Sequence, residues 1–229
     1  GNIGLGHTRW ATHGEPSDIN AHPHLSNDEH IAVVHNGIIE NYQKLRNMLE
    51  AQGFVFRSET DTEVAVDLIQ YFYKGNILEA IAEATRRMEG SYALGVICDN
   101  DPDTLYAVRK ESPLIVGKAD GCNLFASDVT ALIKYTRDIY YLDDGDIIAM
   151  TADDIKFYNS ELQPIEKELS KIEWDISAAE KGGYEHFMFK EIMEQPEVIH
   201  KTLSPRIRDG RIVLDELTFS DEYLKNVNK

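Results

Sequence analysis

The chain has 229 residues, enough for one sizeable domain with a tail or for two small domains. Acidic residues outnumber basic ones by 40 to 23, and the formal charge of -17 repels phosphate backbones and anionic lipid surfaces, which argues against nucleic-acid and membrane partners. Cys98 and Cys122 lack CxxC spacing, which argues against a disulfide framework or structural zinc and fits a reducing cytoplasm.

The opening Gly1-Asn2-Ile3-Gly4-Leu5-Gly6 has neither an initiator Met nor a charged-then-apolar leader. It reads as the middle of a loop-and-strand region with sequence missing upstream. No later run approaches the roughly 20 apolar residues of a membrane helix. Ile31 to Val34 is a buried strand expected to stop at Asn36-Gly37. Ile39, Tyr42, Leu45 and Leu49 then recur at helical spacing up to Gly53. Phe54-Val55-Phe56 reads as a second short strand. Thr60 with Glu63 is a capping-box pattern opening a helix through Val64, Leu68, Ile69 and Phe72, with a stop at Gly75.

A third helix is expected from Ile77 to Met88, followed by β-type runs at Tyr92 to Cys98, Leu105 to Val108, Leu114 to Val116 and Leu124 to Ala126. Asp144-Gly145, between Ile139 to Leu142 and Ile147 to Met150, is a hairpin signal, and Ile155 to Tyr158 supplies another strand. The polar stretch from Glu166 to Gly183 reads as a linker. His186 to Glu194 then reads as a helix stopped by Pro196, beginning another domain. The expected division is 1–178 and 179–229.

Six of the eight histidines fall within the first 35 residues. The H-x-H pair His22 and His24 has metal-like spacing, but no carboxylate-histidine set accompanies it, so the two are read as structural and no metal is expected. In His7 to Gly14, Arg9 is suited to gripping a small carboxylate and Trp10 to shielding a pocket; a surface Arg stacked on a structural Trp fits the same residues. Asn36-Gly37 is either a tight turn or, with a side-chain amide beside an unhindered N–H, a pair of donors for a developing oxyanion. Asp61 either complements the dipole of its helix or pairs with a substrate ammonium, in which case Arg9 and Asp61 read both charged ends of an amino acid.

The segments Gly6 to Gly14, Asn20 to His24, His35 to Asn41, Ser58 to Glu63 and Glu194-Gln195-Pro196, in that order, resemble the glutaminase half of the glucosamine-6-phosphate synthases. The resemblance implies a class II glutamine amidotransferase with an α+β fold, the four-layer αββα sandwich of N-terminal-nucleophile hydrolases, followed by a sugar-isomerase domain. It implies Asn36 and Gly37 as oxyanion hole and Arg9, Trp10, Thr12, His13, His22 and Asp61 as glutamine-binding residues, with no cofactor. It further implies ammonia transfer to fructose 6-phosphate in the missing isomerase domain, a homodimeric full-length enzyme and a cytoplasmic location. The nucleophile of that family is an N-terminal cysteine, so this stretch alone is expected to be inactive, with Cys98 and Cys122 as packed structural thiols. The alternatives are another class II amidotransferase, of phosphoribosyl or asparagine type, and an inactive glutamine-binding module.

Overall fold

The computed structural model describes residues 2–9, 13–173, 182–214, 223 and 226. It divides into two compact units, Gly1–Trp174 and Asp175–Lys229. The first unit is built on a seven-stranded antiparallel sheet in the order β1 (His24–Leu25), β2 (Ile31–Ile39), β3 (Gly90–Cys98), β4 (Asp101–Lys110), β8 (Ile147–Met150), β9 (Ile155–Tyr158) and β10 (Pro164–Ile165). A four-stranded antiparallel sheet in the order β11 (Ser170–Lys171), β7 (Asp138–Tyr141), β5 (Ile115–Ala119) and β6 (Cys122–Ala126) lies against it.

Strand alternation sorts the residues of the larger sheet into two cores. Tyr92, Leu94, Val96 and Cys98 of β3 face one way and bury against α1 (Tyr42–Ala51), α2 (Asp61–Phe72) and α3 (Ile77–Thr85). Ala93 of β3 and Ala107 of β4 face the other way, packing with Ile148, Met150 and Phe157 against Val116 and Phe125 of the smaller sheet. The short α4 (Val129–Leu132) covers that sheet's outer side, where Leu132 meets Gly117. Helix, sheet, sheet and helix follow one another, as the resemblance implies. The helices obey their sequence signals: Thr60 caps α2 by accepting the Glu63 N–H, and Asn76 caps α3 by accepting from Leu78 and Glu79.

Several local expectations fail for identifiable reasons. β2 does not stop at Asn36-Gly37 but runs on to Ile39, because Gly37 adopts φ +127°, open to glycine, and lies so close to β3 that a Cβ would sit 2.2 Å from the Ser91 carbonyl oxygen. Phe54-Val55-Phe56 joins no sheet; the Asn27 side chain takes a strand's place by donating to the Val55 carbonyl (3.0 Å) and accepting its N–H (2.8 Å). Asp144-Gly145 closes no hairpin, since β7 and β8 belong to different sheets. There Lys167 pairs with Asp143 (2.6 Å) and Asp146, and Arg109 with Asp144 (2.9 Å), pinning the connection as the chain crosses between sheets. Part of the expected linker is therefore sheet, at β11; its residues 174–181 lie outside the described residues.

The second unit contains α5 (Phe187–Leu203) and a hairpin of β12 (Ile207–Arg208) and β13 (Arg211–Ile212). Helix α5 passes through Pro196 instead of stopping there. Ion pairs Lys190–Glu194 (3.7 Å) and Glu197–Lys201 (2.6 Å), at helical spacing, support the turns before and after the proline.

Candidate active site

The register of β2 places the site. The Glu40 N–H donates to Glu89 and the Asp99 N–H to His30, at the two ends of the β2–β3 ladder. By antiparallel alternation, the even-numbered residues of β2 bond to β3 while the N–H groups of His35, Gly37 and Ile39 turn away. The His35 N–H donates to His22 Nδ1 (3.2 Å) and the Ile39 N–H to Asp61 Oδ2 (2.9 Å). Between them the Gly37 N–H meets no acceptor among the described residues and opens on a cavity of about 300 Å³.

That cavity is lined by His7, Arg9, His13, His22, His35, Asn36, Gly37, Ile38, Thr60, Asp61, Thr62 and Ser91. It brings together six of the eight residues singled out from sequence: Arg9, His13, His22, Asn36, Gly37 and Asp61. Trp10 and Thr12 lie outside the described residues. A larger cavity, about 580 Å³, lies among residues 2–6 and β6 and contains neither Arg9 nor Asp61, so the smaller one holds the converging charged and polar groups. Cys122, exposed, lines the larger cavity; it is not the packed thiol expected, whereas Cys98 is buried in the core. Neither sulfur reaches the smaller cavity.

Asp61 occupies the first turn of α2 and is 3% exposed. The turn is fixed from below by Glu63, whose carboxylate accepts from the Arg57 N–H (2.8 Å), the Ser58 N–H (2.6 Å) and the Ser58 hydroxyl (2.6 Å). Arg9 sits at φ +43° and folds its guanidinium onto the carbonyls of His13 (2.8 Å), Gly14 (3.1 Å) and Glu15 (3.1 Å). These contacts take both hydrogens of Nη2 and one of Nη1, so Nε–H and one Nη1–H have no acceptor among the described residues. Asn20, which sequence reasoning missed, ties this loop to the helix start: its Nδ2 donates to the Glu15 carbonyl (3.0 Å) and its Oδ1 accepts from the Glu59 N–H (3.1 Å).

Also missed were His35 and Thr62. His35 interrupts the apolar run Ile31 to Val34 at an inward-facing position, a signal available in the sequence, and is 4% exposed. Thr62 Oγ1 lies 3.0 Å from His35 Nδ1 and 3.2 Å from His22 Nε2, and His7 stacks on His22 at 4.3 Å between ring centroids. Burial, aided by neighbouring positive charge, lowers His22 to about 3. Burial likewise lowers His35 to about 4, against the pull of Asp61.

These shifts give stability a pH dependence. Folded His22 and His35 refuse protons that the unfolded chain takes up below its ordinary value of 6.5, so their contribution is full above that pH and lost as pH falls toward 4. Asp67, raised from 3.8 to about 7 chiefly by burial although Asn27 donates to both of its oxygens, opposes them with one proton over the same window. Burial also lowers His7 and His24, adding to the two imidazoles, while the Asp99 hydrogen bond raises exposed His30 and opposes them, so the balance of shifts predicts that stability rises with pH between about 4 and 6.5. Urea unfolding at pH 5 and pH 6 is expected to show the higher stability at pH 6; equal or reversed values would contradict the neutral imidazoles.

A family model described as "Glutamine amidotransferase domain" matches residues 7–134. The chain belongs to that family. The matched stretch of the amidotransferase domain includes every residue lining the smaller cavity. The chain is 56% identical to glutamine–fructose-6-phosphate aminotransferase (isomerizing) of Clostridium acetobutylicum, over 100% of this chain and 38% of that protein. It is 47% identical to the Thermotoga maritima protein of the same name, over 99% of this chain and 38% of that one. The chain therefore spans well under half the length of these curated relatives. Among solved structures, glutamine phosphoribosylpyrophosphate amidotransferase from B. subtilis, complexed with ADP and GMP, matches with a TM-score of 0.58 and 22% identity, over 69% of this chain and 35% of that one. This likeness is one of fold, and it agrees with the αββα sandwich of the amidotransferase domain. Among the described residues no helix is long and apolar enough to cross a membrane.

Proposed function

We propose that the chain is the glutaminase part of a glutamine–fructose-6-phosphate aminotransferase: it binds glutamine and contributes to releasing its amide nitrogen as ammonia. The observation that carries this reading is the convergence of Arg9, Asp61, Asn36 and Gly37 on one cavity. Arg9 draws the α-carboxylate by its charge and a remaining donor, and Asp61 takes the α-ammonium. The unspent Gly37 N–H and the Asn36 amide meet the oxygen of the side-chain carbonyl as negative charge grows on it, at a position held before the substrate arrives. His13, whose Nδ1 lies 4.0 Å from Asp61 and has no hydrogen-bond partner among the described residues, stands at the ammonium end. Trp10 and Thr12, outside the described residues, keep the glutamine-binding role that the family resemblance implies.

The attacking thiol falls to the N-terminal cysteine that the family resemblance implies. Glutamine amide and water then yield glutamate and ammonia, and the ammonia passes to fructose 6-phosphate in a sugar-isomerase domain to give glucosamine 6-phosphate. Residues 1–178 act as the glutaminase domain and residues 179–229 lead into the isomerase, with a cytoplasmic homodimer as the complete assembly. The 56% and 47% identities to aminotransferases of this name favour the reading over a phosphoribosyl-type amidotransferase, to which the likeness is 22%.

Titration calorimetry of the chain with glutamine tests the site. Loss of a charge-assisted contact at Arg9→Ala is expected to weaken binding by about 1.5–3 kcal/mol, on the order of 10- to 100-fold. An unchanged dissociation constant would take Arg9 out of the site.

A further inference from the structure

We infer that His22, Thr62 and His35 form a closed hydrogen-bond relay that fixes both imidazoles as neutral Nε2–H tautomers, bracing β2 beside the Gly37 N–H and leaving Asp61 to the substrate ammonium. The inference rests on the glutaminase reading for the ligand only; the relay itself stands on geometry.

A backbone N–H can only donate, so the 3.2 Å contact from the His35 N–H requires an unprotonated Nδ1 on His22. The proton of neutral His22 then sits on Nε2, 3.2 Å from Thr62 Oγ1, and donates to it. With its lone pair so engaged, the Thr62 hydroxyl turns its own hydrogen to His35 Nδ1 at 3.0 Å. His35 in turn carries its proton on Nε2, which is buried and has no hydrogen-bond partner of normal geometry among the described residues. The ring of contacts thus begins and ends on His35, its backbone at one end and its imidazole at the other.

The electrostatic consequence concerns Asp61. Its Oδ2 lies 3.8 Å from His35 Nδ1, so a protonated His35 would neutralise the carboxylate before any substrate did. The relay prevents this by filling Nδ1 with an incoming hydrogen bond. The charged and titratable groups facing the pair act in both directions: His7, Arg9 and His24 oppose a proton on His22, His7 and His13 oppose one on His35, and Asp61 favours it. Thr62 is a positioning residue in this scheme, since it acts through the histidines.

The test uses Thr62→Val, close in shape but without the hydroxyl, and Thr62→Ser, which restores it. Nitrogen-15 NMR of the unliganded chain is expected to find both rings as Nε2–H tautomers in the parent and in Thr62→Ser from pH 8 to pH 6. In Thr62→Val, His35 is expected to move toward the Nδ1–H form or to titrate. A parent ring in the Nδ1–H form, or tautomers unchanged in Thr62→Val, would overturn the relay. Glutamine affinity in Thr62→Val is expected to fall between pH 8 and pH 6 by about tenfold more than in the parent, the equivalent of one pKa unit of competition; a profile matching the parent's would overturn the charge-keeping role. A parent that binds no glutamine at any pH would sink the glutaminase reading, while the tautomer measurement would still decide the relay.

Discussion

Gly37→Ala is expected to lower the melting temperature of the chain by about 10 °C, from a loss of roughly 3–5 kcal/mol. Two independent costs add at this position. The added Cβ would lie 2.2 Å from the Ser91 carbonyl oxygen and 2.7 Å from Ser112 Oγ, and the first of these is backbone of the neighbouring strand. The backbone itself is at φ +127°, which a residue with a side chain reaches only under strain. Relief would require β2 to part from β3 in the middle of the larger sheet, moving His35 and Ile39 away from His22 and Asp61. Gly75→Ala is the control: its φ is +95°, yet nothing lies within 4 Å of the new atom, so only the backbone cost of about 1–3 kcal/mol applies, without the clash. Melting curves of the two variants that coincide would show that close approach at Gly37 is not what the sheet requires.

Asp61→Asn is expected to weaken glutamine binding by about 2–3 kcal/mol, roughly 30- to 100-fold, while changing fold stability by less than about 1 kcal/mol. The two effects separate because the proposed reading gives the carboxylate two functions. One oxygen accepts the Ile39 N–H at 2.9 Å, and an asparagine oxygen accepts it equally well. The negative charge, by contrast, is buried, and among the described residues only the imidazoles of His35 (3.8 Å) and His13 (4.0 Å) come within ion-pair reach of it. Such a charge is available to an ammonium and is lost in the amide. Calorimetry and thermal melting on the same sample check both halves. Undiminished affinity would assign Asp61 to the helix dipole alone.

Much of this arrangement can be read from sequence where the determining contacts are local. Thr60 and Glu63 announce the start of α2 because capping is settled within four residues, and the placement of Asp61 follows. Errors arose where a distant partner decides. Asn36-Gly37 has the composition of a turn, but pairing with β3 keeps it extended, and that pairing spans more than fifty residues of chain. Asp144-Gly145 has the composition of a hairpin, but Lys167 and Arg109 hold its flanks while the strands enter different sheets. Val55 lacks a strand partner because one asparagine side chain, 28 residues away, substitutes for it.

The cavity was legible for residues whose types bear charge or amide groups in unusual clusters. His35 carried a local signal, an imidazole at an inward position of an apolar run, but its role and the whole of Thr62's become legible only once their neighbours across the fold are known. Thr62 meets His22 across 40 positions of sequence. Asn20 escaped for the same reason, as its partner Glu59 is 39 positions away.

The outward N–H groups of β2 also bear on colloidal behaviour. Because β1 covers β2 only at Ala32 and Val33, the stretch from His35 to Ile39 would otherwise present an open flank on which a strand from another molecule could zip. Such zipping needs a regular row of donors. His22 and Asp61 have already engaged the donors at either end, and the lone one at Gly37 lies in a recess too short to seed a ladder. A strand laid along this flank would therefore find one free donor where a ladder needs a row.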